Sequence, residues 1–155
     1  MGMVGEYARL TPAELGRALG GRFVYEMIED GGSARCMDVD KAWDTLRFLL
    51  GRVGFPVDIV RGEEEIPGAD DFGYTPPRYL SPERVRVAAT ALGPLPADVL
   101  VRGVTMADLA AADLYPELAG QDPDWLQYVT HHYDALVPFF QAAAAAGDAV
   151  VIWLD

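Results

Sequence analysis

The residues with the greatest chemical reach gather at Asp38, Asp40, Lys41, Asp44 and Arg47, around the only lysine of the chain and beside Trp43. Three carboxylates so close in sequence could hold a divalent cation. Carboxylates at a helix start also accept backbone amides and meet the positive end of the helix dipole, which accounts for Asp38 and Asp40 without a metal. Asp44 stands one helical turn from both Lys41 and Arg47, so local ion pairing accounts for the third. No metal site is expected here. Lys41 itself stands against eleven arginines. It is either the one survivor of a coding bias toward arginine or a position that needs a compact ammonium rather than a planar guanidinium.

The nucleophiles offer less. Cys36 is the single cysteine, which excludes an internal disulfide and fits a reducing, cytoplasmic setting. Ser33 and Ser81 are the only serines; neither sits in a nucleophile elbow, and Ser81 reads as a helix N-cap. His131 and His132 are adjacent, hence about 100° apart on a helix, and cannot easily share one ion. No HExxH spacing and no glycine-rich phosphate loop accompanies them. The chain therefore reads as non-catalytic, with no cofactor.

Aromatic side chains interleaved with charge remain: Tyr74, Arg78 and Tyr79 beside Pro76-Pro77, with Lys41, Trp43, Asp44, Tyr115 and Trp125 elsewhere. Such residues line recognition grooves because they combine large area with low entropy cost. The plainer reading is that Trp43, Tyr79 and Tyr115 are core. The set to examine for a ligand or partner is Lys41, Asp44, Arg47, Tyr74, Arg78, Tyr79 and Tyr115. A small-molecule or enzyme cleft would have to draw Lys41, Asp44, Tyr74, Arg78 and Tyr79 together.

These residues sit on a chain of 155 residues, 51% hydrophobic, with a net charge of −12. That length and apolar content suit one domain with its own core. The charge opposes binding to nucleic acid or anionic lipid, where each phosphate contact needs a base, and no apolar run approaches a membrane span. A negative surface suits a basic protein partner. Toxin-neutralising and regulatory proteins are often built this way, which makes an interaction module the leading expectation.

The elements follow from patterning. Residues 2–10 read as a strand with Val4, Ala8 and Leu10 on one face and Met3, Tyr7 and Arg9 on the other. Thr11-Pro12-Ala13-Glu14 is a capping box opening a helix that buries Leu15 and Leu19 and stops at Gly20-Gly21. Residues 23–28 fit either a strand or a helical turn. A central helix, capped by Asp38 or Asp40, buries Val39, Trp43, Leu46 and Leu50. Residues 51–74 form a long acidic connection with one short strand near Glu65-Ile66. Residues 71–80 are extended around the two prolines. Helices start after Ser81 and Thr105, with a helical turn within 96–102. The longest helix starts at Asp122-Pro123-Asp124-Trp125, runs to about Ala146, carries Pro138 inside as a kink, and stops at Gly147. Residues 149–154, apolar on both faces, read as a central strand. The fold class is α+β.

Met1-Gly2-Met3-Val4-Gly5, Asp38-Val39-Asp40-Lys41-Ala42-Trp43-Asp44, Gly73-Tyr74 through Arg78-Tyr79-Leu80-Ser81-Pro82-Glu83, Leu114-Tyr115-Pro116 and the alanine-rich helix before the last strand occur in this order. Together they resemble the YfbM-like bacterial proteins, a domain-of-unknown-function family. The resemblance spans nearly the whole chain. It implies a single α+β domain over 1–155 with the N- and C-terminal strands in one sheet, and it supplies no activity. The chain departs from that pattern at Arg47, where a histidine is expected after the Trp-Asp pair, and at Pro138.

Overall fold

A computed structural model describes residues 2–20, 28, 32–69 and 74–155. The strand or helical turn expected at 23–28 lies outside them but for residue 28, as does the acidic pair Asp70-Asp71. Five strands make one antiparallel sheet: β1 (Gly5–Leu10), β2 (Cys36–Asp38), β3 (Glu64–Glu65), β4 (Arg78–Leu80) and β5 (Ala149–Leu154), in the order β2-β1-β5-β4-β3. The apolar C-terminal segment is central because both its edges are paired, Tyr7 opposite Ile152 on one side and Tyr79 opposite Val151 on the other. Side chains alternate across a strand, so β5 must be covered on both faces.

The first face carries Tyr7, Leu80, Val150, Ile152 and Leu154 into the main core. Its cover is α2 (Trp43–Arg52), α3 (Pro82–Leu92) and the 22-residue α6 (Trp125–Ala146), with shorter α4 (Ala97–Leu100) and α5 (Met106–Ala111) beside them. The second face carries Leu10 and Val151, covered by α1 (Pro12–Leu19) through Ala18 and by Ile66. Among the described residues, no helix is long and apolar enough to cross a membrane.

Local chemistry sets the boundaries. Thr11 and Glu14 form the capping box of α1, Thr105 and Asp108 that of α5, and the Ser81 hydroxyl accepts the Arg84 amide at the start of α3. Gly147 ends α6 at φ 75°, a left-handed conformation that costs glycine nothing. Pro138 is exposed inside α6, and the helix continues through it. In α1 the buried pair is Leu15 and Ala18; Leu19 is 37% exposed rather than buried, because the helix rests on its 15–18 edge. Cys36 to Asp38 is strand rather than helix approach, since Glu6, Tyr7 and Ala8 offer it a free edge.

The long connection between α2 and β4 is acidic yet anchored. Val57, Ile59, Val60 and Ile66 are buried. The Asp58 carboxylate accepts the amides of Val60 and Arg61 at 3.1 and 2.9 Å, which tightens a turn. The fully buried Tyr7 hydroxyl donates to the Ile59 carbonyl at 2.7 Å. Arg84 grips both Glu63 carboxylate oxygens, at 2.8 and 3.0 Å, and the Pro56 carbonyl. Tyr7→Phe should cost about 1–3 kcal/mol, because it strands a buried carbonyl. Urea unfolding followed by fluorescence measures the loss.

Candidate functional site

The start of α2 is built differently from a capped helix. The Asp38 carboxylate accepts the Asp40 amide at 2.9 Å, and Asp40 takes a φ of 49° before a 3-10 turn over Asp40–Ala42. Helix α2 then begins at Trp43 with no side-chain cap. Val39, Trp43, Leu46 and Leu50 are buried as its spacing predicts.

Asp44 corrects the expectation of an outward ion pair with both Lys41 and Arg47. It is 7% exposed. One of its carboxylate oxygens accepts Arg47 Nε at 2.7 Å and the other accepts the Tyr115 amide at 2.9 Å. It ties α2 to the loop before Pro116. Lys41 is exposed, its amide donating to the Tyr128 hydroxyl at 3.1 Å. Its stem lies along Gly2, where a Cβ would come within 2.7 Å of Cε. Among the described residues, no carboxylate stands within ion-pair distance of its ammonium.

Trp43 and Tyr115 stack at 5.6 Å with 25° between their planes. The indole N–H donates to the Met3 carbonyl at 3.0 Å, while the Tyr115 hydroxyl accepts the Met3 amide at 2.7 Å. Both rings thus hold the N-terminal segment. Arg61 lies 5.5 Å from the centroid of the Trp43 ring, within cation–π reach.

Arg78 and Tyr79 are neighbours on β4, and strand alternation sends them to opposite faces. Tyr79 packs with Leu10, Ile66 and Val151; burial and then Glu64 push its hydroxyl pKa up. Tyr74 is 57% exposed, with its amide on the Leu154 carbonyl at 3.1 Å. Of the five residues that a single cleft would need, Arg78 lines one, without the other four. Lys41 and Asp44 belong to the N-terminal cluster, and Arg47 borders a separate open pocket with Leu50, Phe55 and Asp58.

Arg78 reaches a cleft of about 130 Å³ formed with Val60, Arg61, Glu65, Pro76 and Ile152. Its guanidinium donates to the Glu63 carbonyl at 2.6 Å and lies 3.5 Å from Glu65. Gly62, at φ 82°, lets the turn approach β4 so closely that a Cβ would sit 3.0 Å from Arg78 Cβ. Arg61 was not singled out by sequence reasoning. The available signal was its isolation, since it is the only base between Arg52 and Arg78.

The ionisable groups elsewhere argue against nucleophilic chemistry at Cys36. Glu6 pairs with Asp38 across β1 and β2. Burial, then Asp38 and Asp155, raise its carboxyl to about 7. Burial and Glu6 push the Cys36 thiol up as well, which lowers its thiolate fraction. His132 sits edge-on to Tyr128 at 4.7 Å, and burial and then His131 push its pKa down. Among the described residues, no three His, Cys, Asp or Glu side chains are placed to hold a metal ion.

Two outcomes follow from these environments. Asp44→Ala should lose about 1–3 kcal/mol by stranding the Tyr115 amide, whereas Lys41→Ala should stay within about 0.5 kcal/mol, both read by chemical denaturation. Glu6 holds its proton in the folded state between its ordinary value of 4.5 and about 7. The unfolded chain releases that proton first, so stability falls as pH rises through this window. Allowing for solvent screening at a half-buried site, Glu6→Gln should raise Tm by about 2–4 °C at alkaline pH. The gain should vanish in acid, as thermal melts across pH will register.

No curated protein matches the chain. The fold is similar to that in the crystal structure of YfbM from Escherichia coli, a protein of unknown function, with a TM-score of 0.67 and 20% identity over 98% of this chain and 99% of that one. A likeness at that identity concerns the fold. The family model of a domain of unknown function, DUF1877, matches residues 1–153, and the chain belongs to that family.

Proposed function

We propose that this protein is a non-catalytic interaction module that engages a basic protein partner through the face built by α5, the 3-10 turn Glu117–Gly120 and the start of α6. One observation carries this reading. From Gly103 to the C-terminus the chain holds eight carboxylates and no lysine or arginine. Five of them, Asp108, Asp113, Glu117, Asp122 and Asp124, fall from α5 to the start of α6.

Of the eight, Asp148 is neutralised by Arg9 at 2.9 Å; among the described residues the other seven have no ion pair. Asp113 and Glu117 line one polar cleft of about 200 Å³ with Ala110, Gly120 and Gln121. Leu118 stands among them 51% exposed. An apolar side chain set in uncompensated negative charge fits a partner that brings lysines or arginines around an apolar contact, because opposite potentials steer encounter and burial of Leu118 slows release. The same charge repels phosphate backbones.

The combined variant Asp113→Asn, Glu117→Gln, Asp124→Asn tests the face. Expected is a basic partner captured from lysate by the parent protein, identified, purified and bound at least about tenfold more weakly by the variant, with the loss reproduced by added salt. Equal affinity of parent and variant, or a captured partner without a basic surface, would sink the reading. Leu118→Ser should speed dissociation without changing the salt dependence.

A further inference from the structure

The cleft beside β4 joins apolar and basic side chains. Its lining is largely apolar, from Val60, Pro76 and Ile152, yet it includes two arginines in a chain of net charge −12. Arg78 is largely committed, to the Glu63 and Gly62 carbonyls and, at 3.5 Å, to Glu65. Arg61 is not. Its guanidinium lies against the Trp43 ring, and among the described residues no carboxylate is within ion-pair distance of it.

Its backbone is nonetheless held firmly. The Arg61 amide donates to Asp58, Ile59 is fixed by Tyr7, and Gly62 packs on β4. A cation on a fixed turn, backed by an indole and carried by a residue that lines an apolar cleft, fits an anion that brings an apolar body. We infer that this cleft binds a small organic monocarboxylate with an apolar or aromatic body. The carboxylate meets Arg61, with Arg78 adding its field, and the body rests on Pro76 and Ile152.

Size and charge restrict the ligand further. A space of about 130 Å³ is of the order that accepts a single benzene ring. Glu65 on the rim, its side chain 83% exposed, opposes a second negative charge. A dicarboxylate is therefore disfavoured against a monocarboxylate of the same body. This site shares no lining residue with the acidic face, so either assignment can fail without the other.

Amide NMR titration of the whole chain with benzoate, its neutral isostere benzamide and the dianion phthalate provides the test. Expected are saturable benzoate shifts at Arg61, Arg78, Ile152 and Thr75, which also lines the cleft, with a Kd of about 1 mM, a value reasonable for so small a ligand. Benzamide and phthalate should each bind about tenfold more weakly, and Glu65→Gln should narrow the gap between benzoate and phthalate. Arg61→Met should remove the preference for benzoate over benzamide, while Arg61→Lys should keep part of it. Benzamide binding as tightly as benzoate to the parent protein would refute the assignment whatever the variants do. So would shifts confined to other residues, or no saturation by about 20 mM benzoate.

Discussion

The hydroxyl of Tyr7 has nowhere to go but the carbonyl of Ile59. It is wholly buried, and a phenolic O–H out of water without a partner carries the full cost of its lost hydration. Meeting that demand draws the long connection after α2 down onto β1. With Ile59 fixed, Asp58 can gather the Val60 and Arg61 amides, Gly62 can touch β4, and Val57 and Val60 become core. The described part of that acidic segment up to residue 69, rich in glycine and proline, is thereby anchored. The cleft, Arg61 over Trp43, and the pairing of β3 with β4 all descend from it.

Asp44 plays the matching part on the other side of Trp43. A nearly buried carboxylate is stable only when its oxygens are used, and here a guanidinium and a backbone amide use them. The consequence is positional. Tyr115 is brought against Trp43, its hydroxyl meets Met3, and the N-terminal segment is fixed on the same indole that carries Arg61. Of what reads in sequence as a surface triad, Lys41 and Arg47 are exposed, while Asp44 is a packing device.

That contrast marks what the chain discloses along its length. Thr11, Ser81, Thr105 and Gly147 were legible because a cap is a contact between residues three or four apart. The central position of β5 was legible because apolar residues on both faces leave no solvent side. The α2 stripe was legible from its period. The strand at Cys36–Asp38 was not, since three residues with an aspartate carry no pattern and pair only because β1 has a free edge. Leu19 and Ala18 exchanged roles because an eight-residue helix fixes its face only to within one position. The site residues fared worse for the same reason. Arg78 and Tyr79 are adjacent in sequence and on opposite faces in space, and the place of Arg61 depends on a hydrogen bond from a tyrosine 52 positions before its neighbour.

Charge then needs to be read locally rather than as a sum. At about 0.1 M salt the Debye length is about 10 Å, shorter than the about 15 Å radius of gyration expected for a chain of this size. The carboxylates of the α5–α6 stretch therefore act within their own neighbourhood, and a group at the cleft responds to nearer charges, among them Asp58, Arg61, Glu65 and Arg78. Trp43 touches both Arg61 and Tyr115, the aromatic that leads into the acidic loop, yet it is 3% exposed and hydrogen-bonded at its nitrogen. A ring so held separates the two charge environments by fixed packing rather than by distance alone. That separation keeps the Arg61 guanidinium and the carboxylates of the α5–α6 stretch from neutralising one another in a chain of net charge −12.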